Sequence, residues 1–181
     1  MAGESIRLNL GCGSDGILAG YTNVDSHIDI YSGISGVVHD DAMTLYRLTR
    51  YKGRVDEILA VHLIEHLPRP FSASPNVQDA LRVWHEFLRP GGLLVLECPD
   101  FESVVTEYAE THNARLKSVI FGMHRHAGDV HQWGYGRDDL SKLVRDAGFT
   151  VTRVCDGKPR GRDGVKSVRL EGVKQHVPTP E

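Results

Sequence analysis

The chain has 181 residues, 40% of them hydrophobic and 25% charged, which suits a single domain spanning 1–181 with its own core rather than a disordered or fibrous polypeptide. Lys+Arg 21 against Asp+Glu 24 leaves a net charge of -3, so no global basic field points to nucleic acid, and Met1 to Leu10 carries an acid and no long apolar run, so neither a signal peptide nor a membrane span is expected. Cys12, Cys98 and Cys155 are scattered without a CxxC pair, the pattern of a reduced, cytoplasmic chain with no thiolate metal centre.

In chain order, residues 6–10 alternate apolar and polar side chains and run into Gly11, which predicts a strand ending in a glycine loop. Thr22–Asp25 and residues 35–40, through Val37-Val38, read as a second and a third strand, and Val55–Val61 as a buried fourth. Residues 76–89 place Val77, Leu81, Trp84 and Leu88 at helical spacing, up to a stop at Pro90-Gly91-Gly92. Leu93-Leu94-Val95-Leu96 is the unbroken apolar run of a strand covered on both faces of a parallel sheet. A helix over 101–120, another over 138–147 closed by Gly148, and a strand pair over 150–155 and 167–173 complete the series. Strands alternating with helices predict a doubly wound α/β domain, whose ligands sit where loops leave the carboxyl ends of the strands.

Two compositional excesses stand out, 19 glycines and ten histidines, and some of each fall at such loops. Gly11-Cys12-Gly13-Ser14-Asp15-Gly16 matches GxGxxG after a strand, the dinucleotide fingerprint, in which bare backbone approaches a phosphate. Two details argue against NAD. Gly16 is followed by ILAGYTN, where Gly20 breaks any helix after one turn, so no helix end faces a pyrophosphate. Asp25, the acid ending the second strand, falls 14 residues after Gly11, against about 20 in that fingerprint. A ligand with an adenosine but no pyrophosphate fits better.

LNLGCG, the acid at Asp25, EILAVHLIEHL and LRVWHEFLRPGGLLVLECPD, in this order, resemble class I S-adenosylmethionine (SAM)-dependent methyltransferases. The likeness is greatest to a small bacterial and phage-type group whose glycine loop runs almost directly into the second strand. HQWGYGRDDLSKLVRDAGF resembles that group's segment before its sixth strand, and the resemblance covers about residues 6–155. It implies a Rossmann-like, mostly parallel sheet of about seven strands with the last antiparallel, helices on both faces, and a first helix that is shortened or missing. It also implies SAM as cofactor and S-adenosylhomocysteine (SAH) as product. Gly11, Cys12 and Gly13 would lie beside the methionine part, and Asp25 would accept from the ribose hydroxyls. Asp41 and Ala42 would meet the adenine, with Asp40 as a competing assignment, and Val61 and His62 would lie near the SAM amino acid. The missing helix between residues 14 and 22 implies a pocket open on one side, or closed by substrate or a second subunit.

His62-Leu63-Ile64-Glu65-His66 matches HxxEH, a zinc-site pattern that places two imidazoles on one helical face. Leu67-Pro68 ends the segment within a turn and no third ligand is adjacent, so no metal is expected. His124, His126 and His131 cluster in MHRHAGDVHQWGYG, an ordered loop over the sheet's carboxyl edge. His131 is the residue expected to act as base for a hydroxyl nucleophile, with His124, His126 and Trp133 contacting substrate. A solvated or structural role for each is the competing reading. Tyr135 could stack on a substrate ring, and Lys158, Arg160, Arg162 and Lys166 form a basic run in a hairpin loop.

The expected activity is methyl transfer from SAM to an oxygen or nitrogen of a small-molecule or sugar-containing acceptor. Nucleic acid is disfavoured by the charge and by the absence of an Asn/Asp-Pro-Pro-aromatic turn after the fourth strand, and no membrane partner is expected. The alternatives are an NAD(P)-dependent oxidoreductase and a non-catalytic SAM-fold partner subunit; the oligomeric state stays open.

Overall fold

A computed structural model describes residues 5–30, 34–158 and 164–175. Its sheet contains β1 (Arg7–Leu10), β2 (Thr22–Asp25), β3 (Val37–His39), β4 (Val55–Val61), β5 (Leu88–Pro99), β6 (Phe149–Asp156) and β7 (Ser167–Lys174). They lie in the order β3-β2-β1-β4-β5-β7-β6, all parallel except β7, which is antiparallel to both its neighbours. The direction of winding reverses between β1 and β4, so the loops after these two strands open a crevice at the carboxyl edge. Among the described residues, four α-helices pack around the sheet: α1 (Val77–Phe87), α2 (Phe101–Thr111), α3 (Leu116–Phe121) and α4 (Arg137–Asp146). No helix among the described residues is long and apolar enough to cross a membrane.

Helix α1 begins at a capping box: the Asn76 side chain accepts from Gln78 N at 2.8 Å and Asp79 accepts from Asn76 N at 3.0 Å. Its inner face buries Val77, Ala80, Leu81, Trp84 and Phe87. The helix stops earlier than its periodicity predicts, because Leu88 already pairs with Val55 as the first residue of β5. Pro90-Gly91-Gly92 therefore lies inside a strand, where Gly92 is needed: a Cβ there would sit 2.9 Å from the Arg89 carbonyl oxygen and 3.0 Å from that of Val55.

The helix expected over 101–120 is two helices. His112 takes a left-handed conformation (φ 50), Asn113 N donates to Thr111 Oγ1 at 3.2 Å, and Arg115 N donates to Asn113 Oδ1 at 3.1 Å. These short polar side chains compete for the backbone and end one helix while starting the next. The third strand is shorter than expected, Val37–His39 instead of 35–40.

No helix forms between β1 and β2. A buried pair of asparagines ties this stretch to the sheet instead. Asn9 Nδ2 donates to Gly16 O at 2.7 Å and to Asn23 Oδ1 at 2.8 Å, while Leu18 N donates to Asn23 Oδ1 at 2.9 Å and Asn23 Nδ2 donates to Leu18 O at 3.0 Å. Hydrogen bonds that a helix would have made within itself are thus supplied by side chains of the two strands.

Candidate active site

The glycine loop forms directly at the end of β1. Gly11 N and Cys12 N both donate to Val24 O, at 2.8 and 3.2 Å, and Gly16 N donates to Cys12 O at 2.9 Å. Gly11 and Gly13 take positive φ (65° and 54°), the region glycine enters without penalty. Their surroundings differ. A Cβ on Gly11 would lie 2.7 Å from Leu63 Cδ1, in the turn after β4, whereas a Cβ on Gly13 would have nothing within 4 Å. Gly11 therefore serves close packing across the crevice, and Gly13 leaves an open cradle. Replacing Gly13 by alanine is expected to cost about 1–2 kcal/mol of folding stability through its backbone conformation. The methyl group would also occupy the cradle and weaken SAH binding about tenfold or more, read by calorimetry beside an unfolding curve.

Asp25 closes the loop from β2: Oδ2 accepts from Gly13 N at 2.8 Å and Oδ1 from His27 N at 2.7 Å. Cys12 is buried, and burial, followed by the nearby Asp25 charge, pushes its thiol up to about 11, so it is a protonated neighbour rather than a nucleophile. After β3, Asp40 and Asp41 separate in role. Asp40 is buried, with one oxygen accepting from Asp41 N at 2.9 Å and the other from Arg47 N at 2.7 Å. Asp41 is exposed and its Oδ1 accepts from Met43 N at 2.8 Å, while Ala42 offers its carbonyl to the buried Trp84 indole Nε1 at 2.7 Å. Asp40 thus builds the turn that Asp41 presents.

These loops line one cavity of about 1450 Å³. Gly11, Cys12, Gly13, Asp25, Asp41, Ala42, Val61 and His62, all expected from the sequence at the cofactor, border it. The open cradle at Gly13, the carboxylate of Asp25 and the turn at Asp41 are chemically suited to an adenosine-bearing cofactor, whose ribose hydroxyls and adenine amine need acceptors.

The other side of the cavity is built by α3 and the loop that follows it, which lie over the carboxyl edge as a cap. Gln132 N and Trp133 N donate to Glu65 O at 2.7 and 3.3 Å, Gln132 Nε2 donates to His66 O at 2.9 Å, and His131 N donates to Phe121 O at 3.1 Å. Within the cap Asp129 accepts from Arg125 Nε at 2.7 Å, and this guanidinium holds the Asp129 carboxyl down to about 2.

His131 reaches the cavity and meets His66 edge to face, with ring centroids 4.6 Å apart. Burial lowers its pKa, so the imidazole is neutral near pH 7. Glu65 is 2% exposed. Burial alone would raise its pKa, but the contact with His62 and the charges of His62 and His66 bring the net direction below the usual carboxylate range. His62 takes a positive φ of 53° outside glycine, a conformation that costs about 1–2 kcal/mol and is held by His62 N donating to Glu97 O at 2.7 Å.

The remaining candidates divide. His126 lines the cavity and its ring lies 5.2 Å from that of His27. His124 does not border the cavity; it is exposed, with Nε2 2.9 Å from Phe121 O. Trp133 packs edge to face on Phe71, at 5.7 Å between centroids, and borders a small recess with Phe101 rather than the main cavity. Tyr135 is buried in the core, so it has no exposed ring for substrate. Lys158 lines the cavity, and Arg160 and Arg162 lie outside the described residues. Asn9 and Asn23 escaped the reading of the sequence as site-forming groups, and Glu65 entered it only within the HxxEH pattern. Asn9 between Leu8 and Leu10 carried a signal, because a polar side chain inside a two-sided buried strand needs a partner.

A family model described as a methyltransferase domain matches residues 7–154. Among curated proteins the chain is similar to an uncharacterized 37.1 kDa protein in transposon TN4556 of Streptomyces fradiae, 28% identical over 135 residues. That alignment takes in 74% of this chain and 35% of the relative, so the chain spans about a third of its relative's length. Among solved structures it is similar to a SAM-dependent methyltransferase from Methanosarcina mazei (16% identity, TM-score 0.64, 96% of this chain and 94% of that one). It is also similar to 1,6-didemethyltoxoflavin-N1-methyltransferase from Burkholderia thailandensis, solved with 1,6-didemethyltoxoflavin and S-adenosylhomocysteine bound (16% identity, TM-score 0.58, 95% and 72%). At these identities the solved structures speak for the fold.

Proposed function

The chain belongs to the methyltransferase-domain family, and we propose that it takes SAM as its methyl donor and methylates an oxygen or nitrogen of a small-molecule or sugar-containing acceptor. The observation that carries this reading is the division of the one cavity. Its glycine-loop side offers bare backbone and carboxylates, while its cap side offers imidazoles and the buried Glu65. When bound, SAM supplies a sulfonium methyl for in-line transfer, and SAH is the product.

The chain's own residues do the rest. The open cradle at Gly13 and the turn at Asp41-Ala42 position the cofactor, and Asp25 accepts from its ribose. The cap, held on Glu65 and His66 by Gln132 and Trp133, limits water and aligns the acceptor. His131 and its neighbours set the protonation state of the acceptor atom, since a hydroxyl attacks only as its proton leaves.

Calorimetric titration with SAH and with NADH tests the cofactor side: SAH is expected to bind and NADH is not. Tight NADH binding without SAH heat overturns the reading in favour of an oxidoreductase. Labelled SAM incubated with pools of hydroxylated and amine-bearing small molecules then tests the acceptor class. Transfer to none of them, with SAH bound, favours a partner-subunit role.

A further inference from the structure

Beneath the cap, the side chains of His62, Glu65, His66 and His131 lie close together. Glu65 Oε2 is buried and has no partner among the described residues. Glu65 Oε1 lies 3.1 Å from His62 Nδ1. His66 Nδ1 lies 3.2 Å from Val130 O, and His131 Nδ1 lies 2.7 Å from Val119 O. A carbonyl oxygen only accepts, so these two Nδ1 atoms carry the ring protons, and in the neutral rings Nε2 is left with a lone pair. The same reasoning at His62, whose Nδ1 faces the carboxylate, makes its buried and unpartnered Nε2 an acceptor too. One ligating atom from each of Glu65, His66 and His131 lies within 4.8 Å of the others. An ion bound by all three would draw these atoms in by about half an ångström or more, since twice a metal–ligand bond is about 4.0–4.4 Å.

With its imidazoles neutral, such a cluster offers acceptors at Nε2 and at the carboxylate. The lone pairs of Glu65 Oε2 and His62 Nε2, buried without a partner among the described residues, are costly unless a cation or a proton lies beside them. We propose that Glu65, His66 and His131 bind a first-row divalent transition-metal ion, with positions left open toward the acceptor side of the cavity. Two imidazoles and one carboxylate favour Zn²⁺, Mn²⁺, Fe²⁺ or Co²⁺ over Mg²⁺ and Ca²⁺, which prefer oxygen alone. The carbonyls of Val130 and Val119 do for the two rings what supporting partners do in metal sites, fixing tautomer and orientation. The sequence argued against an ion because Pro68 stops the HxxEH segment and no third ligand was near; the cap brings His131 across to supply it.

Ion binding stands on these residues alone. Its consequence rests on the methyltransferase reading: an acceptor oxygen held on the ion loses its proton more readily, and His131 is then a ligand rather than a base.

The test uses the full chain without an affinity tag, stripped with a chelator and titrated with Co²⁺, following visible absorption, then with Zn²⁺ in competition. One equivalent of Co²⁺ is expected to bind with a ligand-field spectrum, and Zn²⁺ to displace it. Glu65→Gln and His131→Ala are each expected to weaken binding by more than about 100-fold, beyond the loss that removing a supporting partner causes. His124→Ala, an exposed histidine outside the cluster, is expected to leave it unchanged. Circular dichroism checks folding, and the near-isosteric Glu65→Gln keeps the test decisive if His131→Ala misfolds. Absence of one-to-one binding, or binding that survives Glu65→Gln, overturns the proposal. SAH calorimetry on the stripped protein separates the two readings: SAH binding without metal binding fails only the ion, and metal binding without SAH binding fails only the cofactor assignment.

Discussion

Asp25→Ala is expected to weaken SAH binding by at least about 150-fold while the chain still folds. Both Asp25 oxygens already accept a backbone N–H, from Gly13 and His27, yet an ionised carboxylate has about four acceptor sites, so two remain for ligand hydroxyls. Hydrogen bonds to a charged acceptor contribute about 1.5–3 kcal/mol each, and losing two amounts to about 3 kcal/mol or more, which is the stated factor. The alanine variant also frees Gly13 N, so the cradle loses its shape. Asp25→Asn keeps the volume but turns one acceptor into a donor against an N–H, and an intermediate loss is expected. Calorimetry with SAH measures both variants. An affinity within threefold of the parent, with native circular dichroism, would place the cofactor elsewhere and leave Asp25 as a loop-shaping residue.

Trp84→Ala carries the largest expected cost in stability, about 3–5 kcal/mol, the range for removing a buried large aromatic. Trp84 is fully buried on α1, and domains of this kind are typically stable by about 5–15 kcal/mol. The indole also donates to the carbonyl of Ala42, in the turn that presents Asp41 to the cavity. Trp84→Phe keeps most of the ring and loses this bond, leaving a buried acceptor unpaired at about 1–3 kcal/mol. Urea unfolding of the two variants separates packing from the hydrogen bond. Trp84→Phe is further expected to weaken SAH binding through the loosened turn, whereas Phe87→Leu on the same helix is expected to lower stability without that effect. Equal SAH affinities in Trp84→Phe and Phe87→Leu would disconnect the helix from the cofactor turn.

The glycine-loop half of the cavity was legible because its information is local. A strand of period two, a glycine that must take positive φ and an acid ending the next strand each lie within a few residues, and Gly11, Gly13, Asp25 and Asp41 came together as expected. The cap half was only partly legible. His131 and His126 reach the cavity, but His124 and Trp133, in the same glycine- and aromatic-rich run, turn away to Phe121 and Phe71. Composition marks a loop as ordered without saying which side chains face inward. The break after Thr111 was legible in principle, since Thr and Asn there bond their own backbone, but apolar spacing on either side suggested one continuous helix.

By itself, then, the sequence determined the alternation of strands and helices, the glycine loop and the acids at strand ends, because these depend on backbone preferences and periodicities spanning about ten residues or fewer. The order β3-β2-β1-β4-β5-β7-β6 was decided only by the tertiary structure, and with it the crevice between the first and fourth strands. So was the meeting of His131 with Glu65 and His66. The carbonyl that orients His66 comes from Val130, 64 residues further along, and the one that orients His131 comes from Val119 in α3. No local pattern encodes such a meeting, because it follows from where the cap packs over the sheet. That packing brings His131 across to a short HxxEH turn, which by itself gathers only Glu65 and its neighbouring histidines.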